Sequence, residues 1–171
     1  MPKTKSGFTI TELLIVIAVI GILAAITIVA YRGIQNRSYD ASVSSDLENI
    51  AKKIHMFSII YDRFPKGATD LLTADVKVTR GAYSRGLYNG TSYYNLVYCW
   101  PNSANPTQFA LVAESKSGNV FQYNANRVDK ASYAYVSGSG PLCANASVPM
   151  DNGSDRDWFY DSDGWQSFVK S

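Results

Sequence analysis

The chain has few of the side chains that most enzymes and metal sites use. Its 171 residues include a single histidine, His55, and two cysteines, Cys99 and Cys143. One histidine cannot build a histidine metal cluster and leaves little material for a Ser-His-Asp triad. The composition therefore argues against a catalytic triad that contains histidine and against a histidine metal cluster.

An excess of one charge sign is also missing. Lys and Arg together number 16 and Asp and Glu number 14, which gives a net charge of +2. A broad basic surface of the kind that binds nucleic acid needs a larger positive excess. The sequence therefore gives no reason to predict nucleic-acid binding.

Charge is almost absent from residues 8–30, where Glu12 is the only ionisable side chain. A helix of this length would span about 35 Å, and the hydrocarbon core of a bilayer is about 30 Å thick. Helices buried in soluble proteins seldom stay apolar on every face for six turns. The composition predicts a membrane-spanning helix over residues 8–30, preceded by a short segment that carries Lys3 and Lys5.

Glu12 is the informative residue of this apolar segment. A carboxylate in hydrocarbon costs several kcal/mol unless it is paired, neutralised or close to the interface. Two interpretations stay open on this ground: the side chain reaches the lipid headgroups, or it meets a positive charge supplied by another chain.

The run GFTITELLIVIAVIGILAAI, residues 7–26, closely resembles the N-terminus of type IV pilins and pseudopilins. The resemblance implies that residues 1–7 are a leader peptide, which prepilin peptidase removes by cutting between Gly7 and Phe8. It also implies methylation of the new amine of Phe8. Glu12 occupies the family's glutamate position, whose role is to pair with the N-terminal amine of a neighbouring subunit during assembly. Many members have a helix-kinking proline where this chain has Val29.

The resemblance implies a structural subunit of a type IV pilus-like filament, assembled through its apolar helix by a membrane platform with other pilin subunits. It also implies that the chain is not an enzyme, with no catalytic residues and no cofactor. The precursor would cross the cytoplasmic membrane once with its head outside, and the processed subunit would enter an extracellular filament. A pseudopilin of a type II secretion or DNA-uptake system is the alternative within the family. An uncleaved, single-span anchor for an extracellular binding domain is the alternative outside it.

The helical pattern continues beyond the apolar segment. Over residues 31–61 one apolar stripe recurs at helical spacing on an otherwise polar sequence: Tyr39, Val43, Leu47, Ile50, Ile54, Phe57 and Tyr61. One helix over residues 8–61 is predicted, apolar all round in its first half and amphipathic in its second. Pro65 and Gly67 end the pattern.

Residues 62–171 are predicted to form a globular head, which makes the fold class α+β. After a loop over 66–92, with a short helix near Ala68–Ala74, four short strands are expected at 93–99, 108–113, 119–123 and 132–136. A turn at 116–119 would join the second strand to the third. The strands would form an antiparallel meander that covers the apolar stripe of the helix.

The head contains a pair of cysteines and an acidic stretch. Cys99 and Cys143 are expected to form a disulfide, because disulfides persist outside the membrane. Five aspartates between Asp151 and Asp163 form the only acidic cluster. Their spacing does not fit an EF-hand loop, so they are assigned no metal, although calcium binding stays open. His55 is interpreted as a packed or solvent-facing histidine without a chemical role.

Overall fold

The computed structural model describes residues 7, 9–84, 86–88, 92–101, 108–134, 139–148, 156–161, 164–166 and 169–170. The chain divides into two compact units, residues 1–36 and 37–171. The first unit contains the beginning of the long helix α1, and the second contains the rest of α1 and all other elements. The long N-terminal helix and the small antiparallel sheet confirm the predicted α+β, pilin-like arrangement.

Helix α1 runs from Ile10 to Tyr61, a length of 52 residues, and passes through Val29 without interruption. Asp62 follows with a φ of 53°, the left-handed conformation that commonly ends a helix. Pro65 lies three residues further on and is buried. The helix therefore ends at Tyr61, as the sequence predicts.

In the second unit, one face of α1 is buried. The buried residues are Val43, Asp46, Leu47, Ile50, Ala51, Ile54 and Phe57. Tyr39 is partly buried at the start of this face, whereas Tyr61 is exposed. The predicted stripe is therefore correct over five of its seven positions. Asp46 was not expected on this face.

A short helix and a hairpin follow α1. Helix α2 covers Ala68–Ala74, in agreement with the prediction, and a single 3-10 turn covers Arg80–Ala82. Strands β1 (Gly86–Tyr88) and β2 (Ser92–Tyr94) pair antiparallel. The prediction of a loop up to residue 92 is therefore wrong for this hairpin, which is too short to leave a recognisable period-2 pattern in the sequence.

The described residues of the head also form a five-stranded antiparallel sheet. Its order is β6-β5-β4-β3-β7, so β6 and β7 are the edges. These strands are β3 (Leu96–Cys99), β4 (Ala110–Glu114), β5 (Val120–Asn124), β6 (Arg127–Lys130) and β7 (Arg156–Trp158). Strands β8 (Tyr160–Asp161) and β9 (Gly164–Trp165) form a separate pair.

Two hairpin turns in the sheet bear on the strand predictions: one lies where the sequence predicts it, and the other comes earlier than predicted. The predicted turn at 116–119 lies between β4 and β5, and Gly118 has a φ of 86°, which favours glycine. The sequence predicts the fourth strand at 132–136, but in the structure the strand that follows β5 is β6, at Arg127–Lys130. Ala125 and Asn126 form a tight turn with φ values of 48° and 65°, so the chain reverses earlier than expected. Of the erroneous strand, residues 135 and 136 lie outside the described residues.

Both faces of the sheet are covered. Leu96, Tyr98 and Leu111 pack with the buried face of α1 in one apolar cluster. Val97, Cys99 and Val112 pack in a second cluster on the opposite face. Helix α3 (Ser139–Asn145) supplies buried residues to the second cluster, and it was not predicted from the sequence. The disulfide Cys99–Cys143 joins β3 to α3 with a Cα–Cα distance of 5.6 Å.

Candidate functional site: the N-terminal helix

The first turn of α1 is closed by reciprocal hydrogen bonds between Thr9 and Glu12. The Thr9 backbone N–H and hydroxyl donate to Glu12 Oε2 at 2.8 and 2.7 Å, and the Glu12 N–H donates to Thr9 Oγ1 at 3.2 Å. This is a capping box, in which the first residue before the helix and the third residue within it satisfy each other's free N–H groups. The Thr-x-x-Glu spacing was available in the sequence as a signal for it.

The apolar surface that follows the capping box is exposed over its whole length. All residues from Thr9 to Ser38 are exposed. Large apolar side chains such as Ile20, Ile26 and Val29 are 59%, 64% and 73% exposed. Monomeric soluble proteins rarely expose contiguous apolar surfaces of this extent, so this helix needs a covering of lipid or of other protein.

The apolar part of α1 is long enough to cross a membrane. It lies near the N-terminus, and none of its most apolar window is buried within the chain. This finding rests on the length and the apolar composition of the helix alone, and an N-terminal signal sequence meets the same criteria. Thr27, one of the few polar residues in the segment, donates its hydroxyl to the Leu23 carbonyl at 2.7 Å, which satisfies the hydroxyl within the helix.

The predicted cleavage residues lie immediately before the helix. Gly7 is exposed and two residues before the capping residue Thr9, whereas Phe8 lies outside the described residues. Cleavage between Gly7 and Phe8 and methylation of Phe8 therefore stay predictions. The same holds for the pairing of Glu12 with a neighbouring amine, because only intrachain contacts of Glu12 are present.

His55 is part of an aromatic cluster between α1 and the sheet. Its Nε2 is 3.0 Å from the Tyr123 hydroxyl, and its ring makes edge contacts with Phe64 and Phe109 at centroid distances of 5.6 and 5.2 Å. Tyr123 and Phe109 are themselves stacked. The half-buried histidine thus belongs to the packing of the head.

The acidic stretch Asp151–Asp163 lies largely beyond what the structure describes. Asp157 and Asp161 belong to β7 and β8, and the other three aspartates fall outside the described residues. Among the residues that the structure does describe, no three His, Cys, Asp or Glu side chains are grouped as a metal site would require.

Two acidic residues of α1 have roles that the sequence did not reveal. Asp40 accepts hydrogen bonds from Ser117 and from Asn119 Nδ2, the latter at 2.7 Å, and so ties α1 to the β4–β5 turn. Asp46 accepts from the Thr79 N–H at 2.6 Å. Both residues look like ordinary charges on a polar helix face, and no sequence spacing distinguishes them.

The N-terminal segment matches a protein-family model. Residues 2–28 match the model described as the prokaryotic N-terminal methylation motif. The match includes the residues before Gly7, the capping box and most of the apolar helix. No solved structure matches the chain.

Two curated relatives are type IV pilus proteins. The type IV wide pilus major component PilA4 of Thermus thermophilus is 34% identical over 77 residues, which cover 45% of this chain and 59% of the relative. The type IV major alpha-pilin of Moraxella bovis is 51% identical over 45 residues, which cover 26% of this chain and 28% of the relative. The chain thus spans less than two thirds of the length of either protein.

These findings agree with the structure of the N-terminal segment. The methylation motif over residues 2–28 includes most of the exposed apolar helix, and parts of the chain are similar to two type IV pilins. Motif and homology together support the type IV pilin family for this chain, as the residues 7–26 predict.

Proposed function

We propose that the chain is a structural subunit of a type IV pilus-like surface filament. The observation that carries the proposal is the methylation motif over residues 2–28, which overlaps a helix whose large apolar side chains are exposed. Prepilin peptidase removes residues 1–7 and the amine of Phe8 is methylated. The apolar helices then leave the lipid and pack together in the filament, so the chain has a structural and not a catalytic role.

Glu12 aligns each incoming subunit in this proposal. In the unassembled chain its carboxylate accepts two hydrogen bonds from Thr9, which offsets part of the cost of placing a charge in an apolar zone. Pairing with the amine of Phe8 in a neighbouring copy supplies the opposite charge. Before assembly, the chain crosses the cytoplasmic membrane once, with residues 1–7 inside and the head outside.

Mass spectrometry of the N-terminal peptide from sheared cell-surface material tests processing. We expect a peptide that begins with methylated Phe8. A peptide that begins with Met1, found in the membrane fraction alone, would contradict the proposal and leave an uncleaved anchor for an extracellular binding domain. Processed chains without surface filaments would favour a pseudopilin of a secretion or DNA-uptake system.

The substitution Glu12→Ala tests assembly. We expect processed subunits to accumulate in the membrane while the yield of sheared filaments falls at least about tenfold, since a buried charge pair is lost. The matched control is Glu48→Ala, which removes an exposed carboxylate from the same helix within the head. Equal filament yields for Glu12→Ala and wild type would contradict the role of Glu12.

A further inference from the structure

The last turns of α1 carry an exposed apolar patch, here called the α1-end patch, which consists of Met56, Ile59, Ile60 and Tyr61. Ile59 and Ile60 are 82% and 72% exposed. Among the described residues of the second unit, Leu72 is the one other large apolar side chain that is exposed. A patch of this kind on a polar surface indicates an interface.

The patch is confined to the end of the helix. One and two turns earlier on the same face, the exposed residues are Lys52 and Asn49, which are polar. The membrane that residues 8–30 are proposed to cross lies toward the other end of α1. A protein partner is therefore a better cover for the patch than the lipid of that membrane.

One row of the patch ends in a carboxylate. Met56, Ile59 and Asp62 follow one another at intervals of three residues, which is the spacing of a ridge on a helix surface. Asp62 directly follows the helix and is exposed. The row thus presents two apolar side chains and then a negative charge.

The apolar part of α1 contains a row with the complementary order. Ile26, Val29 and Arg32 have the same spacing, and all three are exposed. This row presents two apolar side chains and then a positive charge. Neither Arg32 nor Asp62 takes part in the ion pairs found among the described residues.

We propose that the row Ile26, Val29 and Arg32 of one copy packs against the row Met56, Ile59 and Asp62 of a second copy. If the two helices are parallel, an offset of 30 residues, from 26 to 56, aligns all three positions at once. This offset is about 45 Å along the helix axis. The apolar side chains then cover each other, and Arg32 pairs with Asp62.

The contact suits a polymer. The two rows are different surfaces of the chain, so the contact is heterologous, and each copy can use one row toward each of two neighbours. Heterologous contacts that do not close generate open helical polymers. The proposal rests on the filament assembly proposed above and names one contact within it.

Pairs of introduced cysteines test the contact. The native cysteines, Cys99 and Cys143, are bridged to each other, so the introduced thiols are the free ones. In oxidised filaments of the V29C and I59C double variant we expect a disulfide-linked ladder of dimers and larger species, because every copy carries both rows. Each single variant should stay monomeric. The matched control, V29C with K130C, places the second thiol on an exposed residue of β6 and should give no ladder.

Neutral substitutions test the ion pair. We expect R32Q and D62N each to lower the yield of sheared filaments about threefold, the scale of an exposed ion pair. The double variant should lose no more than either single one, because the pair is already lost. Asparagine tolerates the left-handed backbone of residue 62, so D62N keeps the end of the helix. The control R37Q with D62N neutralises an exposed arginine outside the row, and its two effects should be independent.

Maleimide labelling tests lipid as the competing cover. A water-soluble maleimide should label I59C in membranes, before assembly, and should fail to label it in filaments. Protection of this thiol already in membranes would assign the patch to lipid and overturn the proposal.

The outcomes separate this contact from filament assembly as a whole. Filaments of V29C with I59C that show no ladder, or a ladder no stronger than that of the K130C control, would overturn the contact while filament assembly stands. A yield for R32Q with D62N that equals the product of the two single losses would overturn it as well. If the wild type forms no filaments, the proposed function fails, and this contact fails with it.

Discussion

At the scale of single residues, Asp46 is a buried carboxylate on the face of α1 that packs into the head. It is 8% exposed and accepts hydrogen bonds from the Thr79 N–H, the Thr79 hydroxyl and the Tyr83 hydroxyl at 2.6, 3.2 and 3.0 Å. Burial raises the pKa of Asp46, and the bonds from Thr79 and Tyr83 oppose that rise. Burial and the neighbouring Asp46 carboxylate together raise the pKa of Tyr83 well above its usual value. The three hydrogen bonds hold the 3-10 turn against α1.

We expect Asp46→Ala to lower the free energy of unfolding of the head by about 3 kcal/mol, because it leaves the Thr79 N–H and the Tyr83 hydroxyl without an acceptor. Tyr83→Phe removes one donor and should cost about 1 kcal/mol. Urea unfolding of the full chain in detergent, followed by near-ultraviolet circular dichroism, measures both. A smaller loss for Asp46→Ala than for Tyr83→Phe would contradict this account.

At the scale of elements, an ion pair between Arg63 and Asp70 joins helix α2 to the segment that follows α1. Arg63 Nη2 donates to Asp70 Oδ1 at 3.1 Å, and the Lys66 N–H donates to Asp70 Oδ2 at 2.7 Å. Burial alone would raise the pKa of Asp70, but the hydrogen bonds from Arg63 and Lys66 outweigh it and lower that pKa. Because the pKa of Asp70 is lower in the folded chain than its ordinary value of about 4, the ionised carboxylate stabilises the fold at pH values above about 4. This stabilisation is lost as the pH falls below that value, since the carboxylate becomes protonated.

We expect Arg63→Gln to reduce the stability of the head at pH 7 by less than about 1 kcal/mol, since both side chains are partly exposed and solvent screens the pair. The difference from wild type should shrink as the pH falls from about 5 to about 2, where Asp70 is protonated in both folded and unfolded chains. Urea unfolding at a series of pH values measures this, with Lys130→Gln as the control. A difference that grows toward low pH would refute the assignment.

At the scale of the whole molecule, the sheet separates two apolar clusters that the chain covers by different means. One face is covered by α1 and the other by α3, and the disulfide Cys99–Cys143 fixes α3 to β3. The two cysteines are 44 residues apart, and both are fully buried. A bridge over such a loop restricts the unfolded chain strongly.

We expect Cys99→Ala with Cys143→Ala to lower the free energy of unfolding by about 4 kcal/mol on the loop-entropy estimate. Thermal unfolding of the full chain in detergent measures it. Reductant should bring the wild type down to the level of the double variant and leave the variant itself unchanged. A wild type that is insensitive to reductant throughout unfolding would contradict the estimate.

The part of the molecule up to Pro65 was predictable because its signals are local. The apolar run, the stripe from Val43 to Phe57 and the ending before Pro65 each depend on residues close in sequence. The head was less predictable because its strands depend on distant partners. The β6 strand is polar, and its position is set by pairing with β5 and by the turn at Ala125.

The second apolar cluster, on the face of the sheet that α3 covers, was not predicted, although the residues of β3 and β4 indicate it. All four residues of β3 are buried, as are the first four of β4, so apolar side chains face both sides of these strands. A strand with one solvated face alternates apolar and polar residues, and these do not. Asp40 and Asp46 were not predictable, since their partners, Asn119 and Thr79, are distant in the sequence.

The polar attachments between α1 and the rest of the head have a mechanical consequence. Asp40 bonds to the β4–β5 turn, Asp46 to the 3-10 turn and His55 to Tyr123. These three points lie between residues 40 and 55 of the helix and span about 22 Å along its axis. A pull along that axis loads the three points at once, in shear, together with the apolar face between them. Such an arrangement resists traction better than one in which the same bonds open one after another.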